Sequence, residues 1–67
     1  MQRRELPSGA VHWRIDGQLV AGAAGCTWWS TADGARRRMA ASPEEARELA
    51  EAAVRRAAEA AMRRAAG

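Results

Sequence analysis

The sequence contains no lysine, no phenylalanine and no tyrosine, and only one cysteine, one histidine and two prolines. Each shortage removes a class of explanation. A lone Cys26 closes no internal disulfide, which favours a reducing compartment. One His12 plus one Cys26 falls short of the three or four clustered ligands a metal site needs, so no metal and no other cofactor is expected. The same two residues are the only thiol and imidazole available for nucleophilic chemistry, and strand alternation sends them to opposite faces. The carboxylates sit in turn signals (Asp16, Asp33), near the N-terminus (Glu5) or on a charged helix face where ion pairing accounts for them. The glycines of Gly22 to Gly25 lack the spacing and the following helix of a phosphate loop. A protein without enzymatic activity is expected.

Long apolar runs are missing too. Nothing approaches the ~18–20 residues of a membrane span. Leu19 to Cys26 superficially resembles a lipoprotein cleavage box, but Arg14 and Asp16 interrupt the apolar region that such a signal needs. The expectation is a soluble, cytoplasmic protein that does not engage a membrane.

What is present is alanine and arginine. Hydrophobic residues make up 48% of the 67, yet eighteen are alanine, so Trp13, Trp28 and Trp29 must supply much of the buried area. A chain this short forms one domain and buries only around 60% of its unfolded surface, which favours oligomerisation or docking on a partner. Eleven arginines against eight acidic residues give a net charge of +3. This excess matches a GC-rich coding sequence, and it also suits an anionic partner, because guanidinium grips phosphate in a bidentate manner.

The strongest local signal lies between Ser42 and Gly67. Ser42 can cap a helix, Pro43 has its φ preset, Glu44 and Glu45 oppose the dipole, and Ser42 with Glu45 fits a capping box. Ala46, Leu49, Ala50, Ala53, Val54, Ala57, Ala60 and Ala61 then recur at three- and four-residue steps, as one stripe of a helix over about 43–66. Glu51, Arg55, Glu59 and Arg63 form an i,i+4 row of alternating sign on the other side. Such a helix is roughly 36 Å long, while a six-residue strand reaches about 20 Å. Its last turns should overhang, leaving Ala57, Ala61, Met62 and Ala65 to meet another partner, most simply a second copy in a homodimer.

The first half reads as strands. Residues 1–9, with Arg3, Arg4, Pro7 and Ser8-Gly9, lack periodicity and are expected to be a flexible basic lead-in to a single domain of residues 10–67. Val11 to Ile15 alternates apolar and polar, and Asp16-Gly17 is a preferred two-residue hairpin turn. Gln18 to Ala21 follows as a second strand, and Gly22 to Gly25 is either a turn or a kink in one long strand. Cys26 to Thr31 suits a third strand, and a second Asp-Gly signal at Asp33-Gly34 leads into Arg36 to Ala40. The expected fold is α+β: a small antiparallel meander of three or four strands, at about 10–40, packed against one long C-terminal helix.

Alternation then sorts the side chains. Val11, Trp13 and Ile15 should face the helix; with Cys26, Trp28 and Met39 also inside, the open face would carry His12, Arg14, Thr27, Trp29, Arg36 and Arg38. A basic surface with one aromatic fits nucleic acid: arginines on phosphates or guanine edges, tryptophan on a base or sugar. A solvated strand edge is the plainer reading of Arg36 to Arg38, and a shift of register by one would put Trp29 in the core.

The order of strands and helix, with Arg36-Arg37-Arg38-Met39 followed by Ser42-Pro43-Glu44-Glu45-Ala46, resembles the arm-site DNA-binding modules of tyrosine recombinases. The resemblance covers roughly Val11 to Arg56. It implies a sheet that enters the DNA major groove, with Arg14, Trp29, Arg36 and Arg38 in contact. The competing expectation is a small inhibitor or adaptor of the kind phages and mobile elements encode. In that case Trp29 and the arginines are this chain's hot spots for contact with a host protein. A third is a structural subunit of a larger assembly.

Overall fold

A computed structural model describes residues 2–66. The architecture is α+β, with five antiparallel strands in sequential order β1-β2-β3-β4-β5 and one long C-terminal helix across one face. The strand count exceeds the expected three or four by the edges. The segment expected as a flexible lead-in contributes β1, Gln2–Glu5, which pairs with β2, Val11–Ile15. Its strand character is invisible to hydrophobic patterning because all four of its residues are exposed. Arg3 and Glu5 form an ion pair at 3.1 Å on the helix side, and the Arg3 guanidinium lies 5.9 Å from the Trp13 ring centroid. Charge along this outer strand also blunts edge-to-edge pairing with other chains.

Asp16 and Gly17 have φ of 51° and 79°, the positive pair that a tight right-twisted hairpin demands. They return the chain into β3, Gln18–Ala24, so Gly22 to Ala24 of the glycine-alanine run are strand and only Gly25 belongs to a turn. The strand is kinked: Trp13 pairs with Ala21 but Arg14 with Leu19, which leaves Val20 as the extra residue of a bulge. Gly25, with φ of 57°, and Cys26 then make a second two-residue turn into β4, Thr27–Ser30. Cys26 is thus a half-buried turn residue and not the strand residue expected.

The Asp33-Gly34 signal does not make a two-residue hairpin. Ser30 Oγ accepts from Ala32 N at 3.2 Å and opens a 3-10 turn, Thr31–Asp33, after which Gly34 and Ala35 both take positive φ. This wider connection consumes residues and leaves β5 only Arg38–Met39. It also sets the register: Thr27 pairs with Met39 and Trp28 with Arg38. Each side chain therefore stands opposite to the expectation, Met39 out in solvent at 74% exposure and Arg38 on the helix side.

The helix α1, Pro43–Ala66, begins as its sequence demands. Ser42 Oγ accepts from Glu45 N at 3.1 Å, and Glu45 Oε1 accepts in return from Ala41 N at 3.5 Å, one residue earlier than in a standard capping box. Ala46, Ala50, Ala53 and Val54 are buried, whereas Leu49 lies at the rim with 38% exposure. Glu51 pairs with Arg55 at 3.2 Å and Glu59 with Arg63 at 3.8 Å along the charged row. The helix lies chiefly over β3 and β4. There Ala21 and Ala23 present almost no bulk, so the alanines of the helix approach closely, and Trp13 from β2 and Trp28 from β4 fill the flanks. Beyond Ala58 every described helix residue is exposed, as its length foretells. No helix among the described residues is long and apolar enough to cross a membrane.

Candidate nucleic-acid interface

Pairing register decides what the uncovered sheet face displays. Val11 and Trp13 are buried toward the helix, so His12 and Arg14 project from the other side of β2. Arg4 pairs with His12, His12 with Gly22, and Gly22 with Trp29, so these four residues form one row across β1 to β4 on the open face. The next row contains Gln2, Arg14 and Leu19. On the other side of the Trp29 row lie Ala24, Thr27 and Met39, with Thr27 Oγ1 donating to Met39 Sδ at 3.3 Å.

Of the six residues expected here, the structure brings His12, Arg14, Thr27 and Trp29 onto one face and removes two. Arg38 turns to the helix side, where it pairs with the Asp33 carboxylate and its guanidinium lies 5.8 Å from the Trp28 ring centroid. Arg36 sits exposed in the irregular segment ahead of β5. The arginine that reaches the site from that run is Arg37, which lines a hollow of about 320 Å³ with Ala23, Ala24, Thr27 and Trp29. Arg4 is the other addition. The alternation of β1 marks it, since Arg3 and Glu5 pair with each other and so leave Gln2 and Arg4 for the opposite side.

Trp29 does not stand away from the sheet. A Cβ built on Gly22 would lie 2.5 Å from its Nε1, 2.8 Å from Cε2 and 3.0 Å from Cζ2. The indole therefore leans across the neighbouring strand and occupies the place of the side chain that Gly22 lacks. A glycine inside a strand pattern often marks such an approach, and here it is the sequence signal for the ring's position.

Electrostatically the face has one sign. Its strand positions carry Arg4 and Arg14, with Arg37 beside them, and no carboxylate: Glu5 is on the helix side, Asp16 in the hairpin turn and Asp33 in the 3-10 turn. Arg14 Nη1 donates to the Gly17 carbonyl at 3.3 Å, which steers the guanidinium along the hairpin. Among the described residues no three His, Cys, Asp or Glu side chains gather as a metal site would require. His12 is mid-strand opposite Gly22, while Cys26 lies in the β3–β4 turn.

The four residues expected to dock a partner at the helix end divide. Ala57 and Ala61 line a groove of about 280 Å³ together with Ile15, Val20, Thr31 and Arg64, between the helix and the β2–β3 hairpin. Met62, 66% exposed, and Ala65 face solvent. Comparison of the chain with protein-family models, with curated proteins and with solved structures returned no match.

Proposed function

We propose that this protein is a non-enzymatic module that binds nucleic acid, with DNA favoured, through the open face of its sheet. The observation that carries the reading is the segregation of charge: Arg4, Arg14 and Arg37 surround Trp29, His12 and Thr27 on a surface whose strand positions hold no carboxylate. Guanidinium groups neutralise phosphates and release counterions, which supplies affinity without sequence information. The hydroxyl of Thr27 and the imidazole of His12 add hydrogen bonds, and the indole adds a stacking surface.

The test is a salt titration of oligonucleotide binding between about 50 and 200 mM. Affinity falls steeply with salt, and Arg14→Ala or Arg37→Ala each reduces the slope of log K against log salt by about 1. Arg38→Ala, on the other face, leaves the slope unchanged. Absence of binding at the low-salt end refutes the proposal.

One observation favours a second reading. Met39 is 74% exposed and shares the face with Trp29 and Leu19, an apolar set that suits an inhibitor or adaptor seated on a host protein. Under that reading Met39→Ala weakens the interaction as strongly as Arg37→Ala. Under the nucleic-acid reading it has little effect.

A further inference from the structure

The placement of Trp29 bears on which form of nucleic acid the face accepts. In a duplex the bases are stacked on one another, and a protein meets only phosphates, sugars and base edges in the grooves. An aromatic ring gains its full stacking interaction only with an unpaired base, whose π-face is free. A ring that reads or wedges a duplex must project from its surface. The Trp29 indole instead lies low across Gly22, close enough that even a methyl at that position would collide with it.

Beside the ring is room for a planar group. The hollow of about 320 Å³ is lined by Trp29, Arg37, Thr27, Ala23 and Ala24. The Thr27 hydroxyl is a hydrogen-bonding group for a base edge, and the Arg37 guanidinium can stack on a base or hold its phosphate. From Trp29 the row continues through Gly22 to His12, a second flat ring, and then to Arg4. Successive strands are about 4.8 Å apart, so the row from Trp29 to Arg4 spans roughly 14 Å of level surface with cations near both ends. That is the combination of basic track and aromatic platform that a single strand uses.

We infer that the face takes single-stranded nucleic acid, with an unpaired base stacked on Trp29 in the hollow beside Arg37 and the backbone running over His12 toward Arg4. This rests on the nucleic-acid reading and narrows it from polyanion to unpaired strand.

The experiment measures binding of labelled oligo-dT, oligo-rU and a duplex, each of about 16 nucleotides, at about 50 mM salt. Fluorescence anisotropy gives affinity, and indole emission gives stacking. Expected are quenching by the single strands but not by the duplex, and affinity for at least one single strand about tenfold or more above that for the duplex. Trp29→Ala should lower single-strand affinity by about 5- to 150-fold, the range for one stacked base, and duplex affinity by clearly less. Arg37→Ala, an exposed substitution outside the core, should lower single-strand affinity and lessen the quenching. Preference between dT and rU, which differ in the 2′-hydroxyl and in the C5-methyl of the base, supports the inference in either direction. Duplex affinity equal to or above that of both single strands, with no quenching by any of the three and single-strand affinity unchanged in Trp29→Ala, overturns the single-strand inference and leaves nucleic-acid binding intact. No binding to any of the three overturns both.

Discussion

The three tryptophans should respond to substitution in three different ways, and Trp13 is the most diagnostic. Its ring is 0% exposed, at the flank of the alanine contact between helix and sheet. A tryptophan buries about 150–250 Å², which at about 25 cal/mol per Å² corresponds to ~4–6 kcal/mol. That figure is an upper bound because the unfolded chain is itself partly compact, and Trp→Ala in cores typically costs about 3–5 kcal/mol. The whole domain, at about 0.05–0.15 kcal/mol per residue, has ~3–10 kcal/mol to lose. Trp13→Ala should therefore leave a marginal or unfolded protein.

Trp13→Phe separates shape from polarity. Trp13 Nε1 is buried without a hydrogen-bond partner, and an unsatisfied buried donor costs about 1–3 kcal/mol. Phenylalanine removes that N–H while leaving a void worth about 1–2 kcal/mol, so the two effects nearly cancel. Urea denaturation followed by circular dichroism should place Trp13→Phe within about 1 kcal/mol of the parent, with Trp13→Ala at least ~3 kcal/mol lower. Equal damage from both substitutions would refute the argument, because it would mean that the indole N–H is a satisfied and stabilising group. Trp29→Ala, on the open face, should cost only about 1 kcal/mol. Loss of the fold on that change would instead mean that the two faces have been assigned the wrong way round.

Two further outcomes follow from local contacts. Arg38→Ala removes the ion pair with Asp33 and the stacking over Trp28, both partly exposed, and should lower stability by about 1 kcal/mol in the same denaturation assay. Ser42→Ala deprives Glu45 N of its cap and should cost ~1 kcal/mol, read as a lower thermal midpoint with no change in oligonucleotide affinity.

Much of the fold could be read directly from the chain because its signals are local. The Ser42-Pro43-Glu44-Glu45 cap, the three- and four-residue recurrence of alanine and the Asp16-Gly17 turn each depend on residues within one or two turns of themselves. The structure realises all three. Strand alternation likewise placed Val11 and Trp13 inside and Trp29 outside without tertiary information, since the period of two holds wherever a strand stays regular. What only the tertiary structure decided were the places where pairing, not pattern, sets the outcome. β1 has no apolar residue to betray it and becomes a strand because β2 offers an unpaired edge. The glycine-alanine run from Gly22 to Ala24 is strand because β2 and β4 pair with it from either side. The 3-10 turn after Ser30 shifts β5 by one residue, and with a side-chain period of two this single step exchanges Arg38 for Met39 between the faces. That exchange, which brings Arg37 and not Arg38 beside Trp29, rests on backbone hydrogen bonds between residues far apart in the chain, and no local window of sequence contains them.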